Sequence, residues 1–127
     1  MHKAFAQAST RIDLLAHVGY LRQRQGNLPG AEAIYRQCVT LAPANAAMHS
    51  NLGELLLETG RIVEAQIEIH KAVALDPQLA EAQCNLGHLK RELGRKEAAI
   101  AAYQRALELK PALSEAEKAL AELVKPG

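Results

Sequence analysis

Apolar side chains recur along this chain at spacings of three and four, and the rhythm is interrupted alternately by glycine and by proline. Ile12, Leu15, Val18, Gly19 and Leu21 keep to one stripe while Arg22, Gln23 and Arg24 face elsewhere, the pattern of an amphipathic helix. Gly26-Asn27 breaks that helix, and Pro29 falls just inside the next, where its missing donor costs nothing. Ala31, Ile34, Tyr35, Cys38 and Leu41 form the second stripe, and Pro43 ends it. The plan then repeats. Leu52, Leu55 and Leu56 precede Gly60; Ile62, Ala65, Ile69, Ala72, Val73 and Leu75 precede Asp76-Pro77. Leu86, Leu89 and Leu93 precede Gly94; Ala99, Ile100, Tyr103, Ala106, Leu107 and Leu109 precede Pro111.

These stripes belong to a repeat. Asn51 and Asn85, Gly53 and Gly87, Gly60 and Gly94, Ala65 and Ala99, and Pro77 and Pro111 are each 34 residues apart, a period typical of solenoids. One interval earlier stand Gly19, Gly26, Ala31 and Pro43. The chain therefore divides into units at 12–45, 46–79 and 80–113, each a helix pair, and the fold class is all-α. Gly19, Gly53 and Gly87 sit inside helices, where glycine is unfavourable by up to about 1 kcal/mol against alanine. Their recurrence implies a close contact that a side chain would block, and Ala31, Ala65 and Ala99 imply the same on the partner helix. Residues 1–11 align one period ahead of residues 35–45, so they are either the remnant of a preceding unit's second helix or an N-terminal helix covering the first unit. In both cases Phe5 should pack on the array. Residues 114–127 form a last amphipathic helix, with Ala116, Leu120 and Leu123 on one side; it should cover the exposed end of the third unit and close the array. Ser114 and Glu117 have the capping-box spacing at its start.

Composition narrows the picture in two ways. Of 127 residues, 49% are hydrophobic but only 3% aromatic, with no Trp, so Ala and Leu supply the packing, as suits closely stacked helices. The formal charge of +1 offers no footprint for nucleic acid or an anionic membrane. Residues 1–11 lack the apolar run of a signal peptide, and no later stretch approaches a membrane span, which points to a soluble, cytoplasmic chain. Cys38 and Cys84 fit a reducing compartment, Cys38 as a small buried residue where the other units carry Ala72 and Ala106.

Catalytic chemistry finds little support. His2, His17, His49, His70 and His88 form no HExxH or similar metal spacing. His49 reads as a satisfied interior or boundary histidine. Cys84 has no evident basic neighbour to activate it. Lys90, Arg91, Arg95 and Lys96 alternate with Glu92 and Glu97, as on a solvated helix face. No phosphate loop or nucleophilic triad can be assembled, so no enzyme activity, cofactor or metal is expected.

The residues Leu86-Gly87, Ala99-x3-Tyr103 and Pro111, with Leu52-Gly53, Ala65-x3-Ile69 and Pro77, and Val18-Gly19, Ala31-x3-Tyr35 and Pro43, resemble the tetratricopeptide repeat. The likeness covers residues 12–113. It departs at the family's large first-helix position, held by Leu15, His49 and Gln83, and at its first-helix Tyr, held by Arg22, Leu56 and Lys90. The resemblance implies an α-solenoid of antiparallel helix pairs, coiled into a right-handed superhelix whose first helices line a concave groove for a peptide or partner protein. The groove would comprise Asp13, His17, Tyr20 and Arg24, then Ala47, Asn51, Glu54 and Glu58, then Glu81, Asn85, His88 and Glu92. Asn51 and Asn85 would bond the main chain of an extended ligand, with His17 continuing the row; the alternative is local bonding to helix backbone or water. Family members that grip the acidic C-termini of large chaperones use a Lys, Asn, Asn, Lys and Arg clamp. Its positions here are Ala16, Tyr20, Asn51, Glu81 and Asn85, so that clamp is absent. The function expected is a protein-interaction scaffold. The alternatives are a substrate-recruiting arm of a larger enzyme, such as a protein glycosyltransferase, and a module that self-assembles through its array ends.

Overall fold

A computed structural model describes the backbone of residues 2–125 and the side chains of residues 10–125. Among them are seven helices and no strand: α1 (His2–Arg24), α2 (Leu28–Leu41), α3 (Ala46–Glu58), α4 (Ile62–Leu75), α5 (Ala80–Glu92), α6 (Lys96–Leu109) and α7 (Ser114–Val124). Within each unit the two helices pack closely, α1 on α2, α3 on α4 and α5 on α6, and each pair then stacks on the next through α2 and α3, α4 and α5, α6 and α7. The result is a solenoid of stacked helix pairs in which the first helices α3 and α5 also touch one another.

Two kinds of turn produce this alternation. At the ends of α1, α3 and α5, Gly26, Gly60 and Gly94 take φ of 81°, 78° and 75°, the left-handed conformation that lets the chain reverse. The next amide bonds back into the helix, Asn27 to the Arg22 carbonyl at 2.9 Å and Arg95 to that of Lys90 at 2.9 Å. The second turn type follows α2, α4 and α6, where Pro43, Pro77 and Pro111 come directly after the helix ends. Asn27 and Asn45 cap the helices that follow them, their side chains accepting from the amides of Gly30 and Met48. Ser114 does not cap α7: the turn places Leu113 at the cap, Ser114 is already helical, and no side chain bonds the helix start. Leu113 instead packs into the terminal apolar cluster.

The internal glycines meet the large side chain of the partner helix. A Cβ on Gly19 would lie 2.7 Å from Tyr35 Cε1, on Gly53 2.6 Å from Ile69 Cγ1, and on Gly87 2.6 Å from Tyr103 Cδ1. Ala31, Ala65 and Ala99 are fully buried beside them. The core runs continuously from Ala31, Tyr35 and Leu52 through Leu55, Leu56, Ala65 and Ile69 to Leu89, and a second cluster joins Cys84, Ala99, Tyr103 and Ala106 to Ala116 and Ala119 of α7.

At two places the apolar stripe differs from expectation. Leu41 and Leu75, the last residues of their helices, and Leu93, just past the end of α5, are exposed, as are Val18 and Leu21. The equivalents of the latter pair in α3, Leu52 and Leu55, are fully buried because α2 covers α3, whereas no described helix precedes α1. Residues 2–11 run into α1 without a turn. Phe5 lies outside the described side chains.

The large-residue positions of the second and third units' first helices are filled by polar groups with a specific task. His49 is buried, its Nδ1 2.7 Å from Glu68 Oε1 and its Nε2 2.7 Å from the Pro43 carbonyl. Gln83, one period on, donates through Nε2 to the Pro77 carbonyl at 3.0 Å. Each thus ties its helix to the proline turn six residues before it and satisfies a carbonyl that the turn leaves unpaired.

Candidate partner-binding cleft

The first helices converge on a cleft of about 230 Å³ lined by Glu54, Leu57 and Glu58 of α3, His88, Arg91 and Glu92 of α5, and Glu115 of α7. One-turn spacing explains the lining: Glu54 and Glu58 are four residues apart, as are His88 and Glu92, so each pair shares a helix face. Four carboxylates face one guanidinium and one imidazole. Burial pushes the Glu54 carboxyl up to about 7, assisted by the charge of Glu115 and opposed by His88. Glu115 goes the other way, held below the ordinary carboxylate range chiefly by its hydrogen bond from His88.

His88 is the hub of this cleft. Its Nε2 lies 3.0 Å from Glu115 Oε1 and 3.5 Å from Cys84 Sγ, and its Nδ1 lies 2.6 Å from the Tyr103 hydroxyl. A carboxylate on one side suits a proton on Nε2, and the Tyr103 hydroxyl on the other can donate to or accept from Nδ1. The two rings meet edge to face at 5.3 Å. Tyr103 is wholly buried, so a core residue of α6 anchors the groove histidine.

The other expected groove residues fall into different environments. Glu54, Glu58, His88 and Glu92 line the cleft together. Asp13 and His17 are exposed on α1, and so are Tyr20 and Arg24, where the Arg24 guanidinium donates to the Tyr20 hydroxyl at 3.2 Å. Glu81 accepts from Lys110 Nζ at 3.0 Å, engaging the turn after α6. Ala47 packs against the N-terminal apolar cluster.

The asparagine row does not form one reading surface. Asn51 is half-buried, but Asn85 is 3% exposed, and its Nδ2 donates to the Ser50 carbonyl at 3.1 Å and to Ser50 Oγ at 2.8 Å. Asn85 therefore joins α5 to α3, its amide donors taken up by the backbone and hydroxyl of a neighbouring helix. The difference lies one helix back: the residue preceding Asn51 by the same interval is Ala16, which has no hydroxyl to offer.

Three cleft residues escaped the sequence reading: Leu57, next to the α3 stripe, Arg91 and Glu115. Arg91 belongs to a run of alternating charges and Glu115 to the wet side of α7, and helix periodicity alone does not reveal that both turn inward. Cys84 is buried at 1% exposure, and burial pushes its thiol up to about 12, so it is not an activated nucleophile. Both cysteines are free.

Helix pairs stacked around a concave, polar cleft define a helical-repeat scaffold. Tetratricopeptide repeat profiles match residues 23–83 and 80–113, and the chain belongs to the tetratricopeptide repeat family. No curated protein matches it in sequence. Among solved structures, it superposes on the O-GlcNAc transferase of Thermobaculum terrenum with a TM-score of 0.84 and 30% identity, covering 92% of this chain and 22% of that one. The first TPR of Spaghetti (RPAP3), solved bound to the HSP90 peptide SRMEEVD, gives 0.77 and 25% identity over 91% of each chain. The TPR domain of Arabidopsis OM64 gives 0.78 and 24% identity over 92% of this chain and 97% of that one. No helix among the described residues is long and apolar enough to cross a membrane.

Proposed function

We propose that this chain is a non-catalytic protein-interaction module whose concave cleft receives a positively charged segment of a partner protein. The observation that carries the reading is the cleft's charge: Glu54, Glu58, Glu92 and Glu115 surround a single Arg91, and Glu54 is held partly neutral by burial and by Glu115. A lysine or arginine entering there would relieve carboxylate repulsion and gain charge-assisted hydrogen bonds. The structural relative bound to SRMEEVD supports the use of such a groove for a peptide, but that peptide is acidic, and four carboxylates here disfavour one like it.

Fluorescence anisotropy with paired peptides tests this. A Lys/Arg-rich peptide should bind and an acidic one should not, and Glu54→Gln/Glu58→Gln should weaken the basic peptide by roughly tenfold or more while leaving helicity unchanged. Equal binding of both peptides, or indifference to the double substitution, would refute it. A second reading draws on the match to the O-GlcNAc transferase, of which this chain spans 22%: the module would serve as the substrate-recruiting arm of a larger enzyme. In that case the segment captured belongs to the substrate of a catalytic domain on the same or an associated chain.

A further inference from the structure

The 34-residue register gives every junction between units an equivalent set of three positions: two on one first helix, four residues apart, and one in the first turn of the next first helix. At the first junction these are Ala16, Tyr20 and Ala47, at the second Ser50, Glu54 and Glu81, and at the third Cys84, His88 and Glu115. Only the third set consists entirely of metal-ligating groups. We propose that Cys84, His88 and Glu115 form a binding site for a zinc-class divalent cation at the junction of the third unit and α7.

The geometry fits that ion. Cys84 Sγ, His88 Nε2 and a Glu115 carboxylate oxygen all lie within 4.8 Å of one another. Tetrahedral zinc, with Zn–S of ~2.3 Å and Zn–N of ~2.0 Å, separates sulfur from nitrogen by about 3.5 Å. The Cys84 Sγ to His88 Nε2 distance is 3.5 Å. Nitrogen and oxygen ligands on the same ion stand about 3.3 Å apart, against 3.0 Å here, and the carboxylate oxygen, within 4.8 Å of Cys84 Sγ, would settle about 3.5 Å from it by rotation of the exposed Glu115 side chain. One sulfur, one nitrogen and one oxygen donor suit a borderline cation and disfavour magnesium or calcium. Both helix positions are well fixed: Cys84 is 1% exposed, and Tyr103, fully buried, orients the imidazole through Nδ1, the outer-shell hydrogen bond that metal-bound histidines require. On binding, the Cys84 thiol releases its proton to solvent and His88 carries its proton on Nδ1, donating to the Tyr103 hydroxyl oxygen. The fourth position opens onto the cleft, which Glu54 also lines, and takes water or that carboxylate.

The test is titration of the reduced chain with Co²⁺, a spectroscopic substitute for zinc, in chelator-free buffer. One equivalent should give a thiolate-to-cobalt charge-transfer band and intense tetrahedral visible bands, both removed by stoichiometric Zn²⁺. Cys84→Ser should abolish the charge-transfer band; serine is tolerated at the equivalent Ser50, so the fold is preserved and circular dichroism verifies it. His88→Gln and Glu115→Gln should each weaken binding by roughly tenfold or more, and Cys38→Ser should change nothing. Absence of a thiolate band at excess cobalt, its persistence in Cys84→Ser, or equal affinity in both the His88 and Glu115 variants would overturn the site.

Discussion

Replacing Asn85 by alanine should destabilise the solenoid at the α3–α5 junction, whereas the same change at Asn51 should not. The Asn85 amide makes two hydrogen bonds to Ser50 from a position almost without solvent. Each such bond contributes about 1 kcal/mol net. Removing both, and leaving the Ser50 carbonyl's second lone pair and the truncated volume uncompensated, should destabilise by about 2–3 kcal/mol. The Ser50 hydroxyl can turn back onto its own helix, which keeps the loss from growing further. A chain of this length loses roughly 4 °C in melting temperature per kcal/mol, so the midpoint should fall by about 8–12 °C. Asn51→Ala should stay within about 0.5 kcal/mol. Urea unfolding followed by circular dichroism at constant slope gives both numbers, and Ser50→Ala combined with Asn85→Ala supplies the coupling, expected near 1 kcal/mol. Equal shifts for Asn51→Ala and Asn85→Ala would refute the assignment of Asn85 as a junction between helices.

Three other outcomes follow from the same contacts. Glu54, whose carboxyl is raised from 4.5 to about 7, holds its proton in both folded and unfolded chains at low pH; as pH rises from about 4.5 to 7 the unfolded state ionises first. Stability should therefore fall across that window by up to about 3 kcal/mol. Glu54→Gln should match the parent at pH 4 and be the more stable at pH 8; no difference at pH 8 would mean that Glu58, Glu115 and His88 leave Glu54 well solvated. Gly87→Ala gains about 1 kcal/mol of helix propensity but sets a methyl 2.6 Å from the Tyr103 ring. Overpacking of roughly 1–3 kcal/mol should prevail, and a melting temperature above the parent's would show that the ring yields freely. Ala65→Leu, at a fully buried site, should destabilise by roughly 1–3 kcal/mol by the same measurement, and unchanged stability would count against the inner face assigned to it.

The period, the helix pairing and the inner face were all legible in the amino-acid sequence because they depend on local rules. A glycine that must adopt positive φ, a proline after a helix end and an alanine facing a large residue each act over a few residues, and three copies in register reinforce the signal. Four of the cleft's lining residues, Glu54, Glu58, His88 and Glu92, followed from the family resemblance, which names the helix face that lines the groove. Tertiary structure decided what each side chain meets across a junction. Asn51 and Asn85 occupy the same angle on equivalent helices, yet the residue 35 positions earlier is Ala16 for one and Ser50 for the other, so only Asn85 is drawn into a buried hydrogen-bond pair. Cys84 and His88 share a face by sequence, but Glu115 joins them only because α7 docks as the next first helix, and Tyr103 reaches His88 only because Gly87 admits its ring. Helical periodicity fixes directions on one helix; the distances between helices arise from packing, and the chemistry of this cleft depends on those distances.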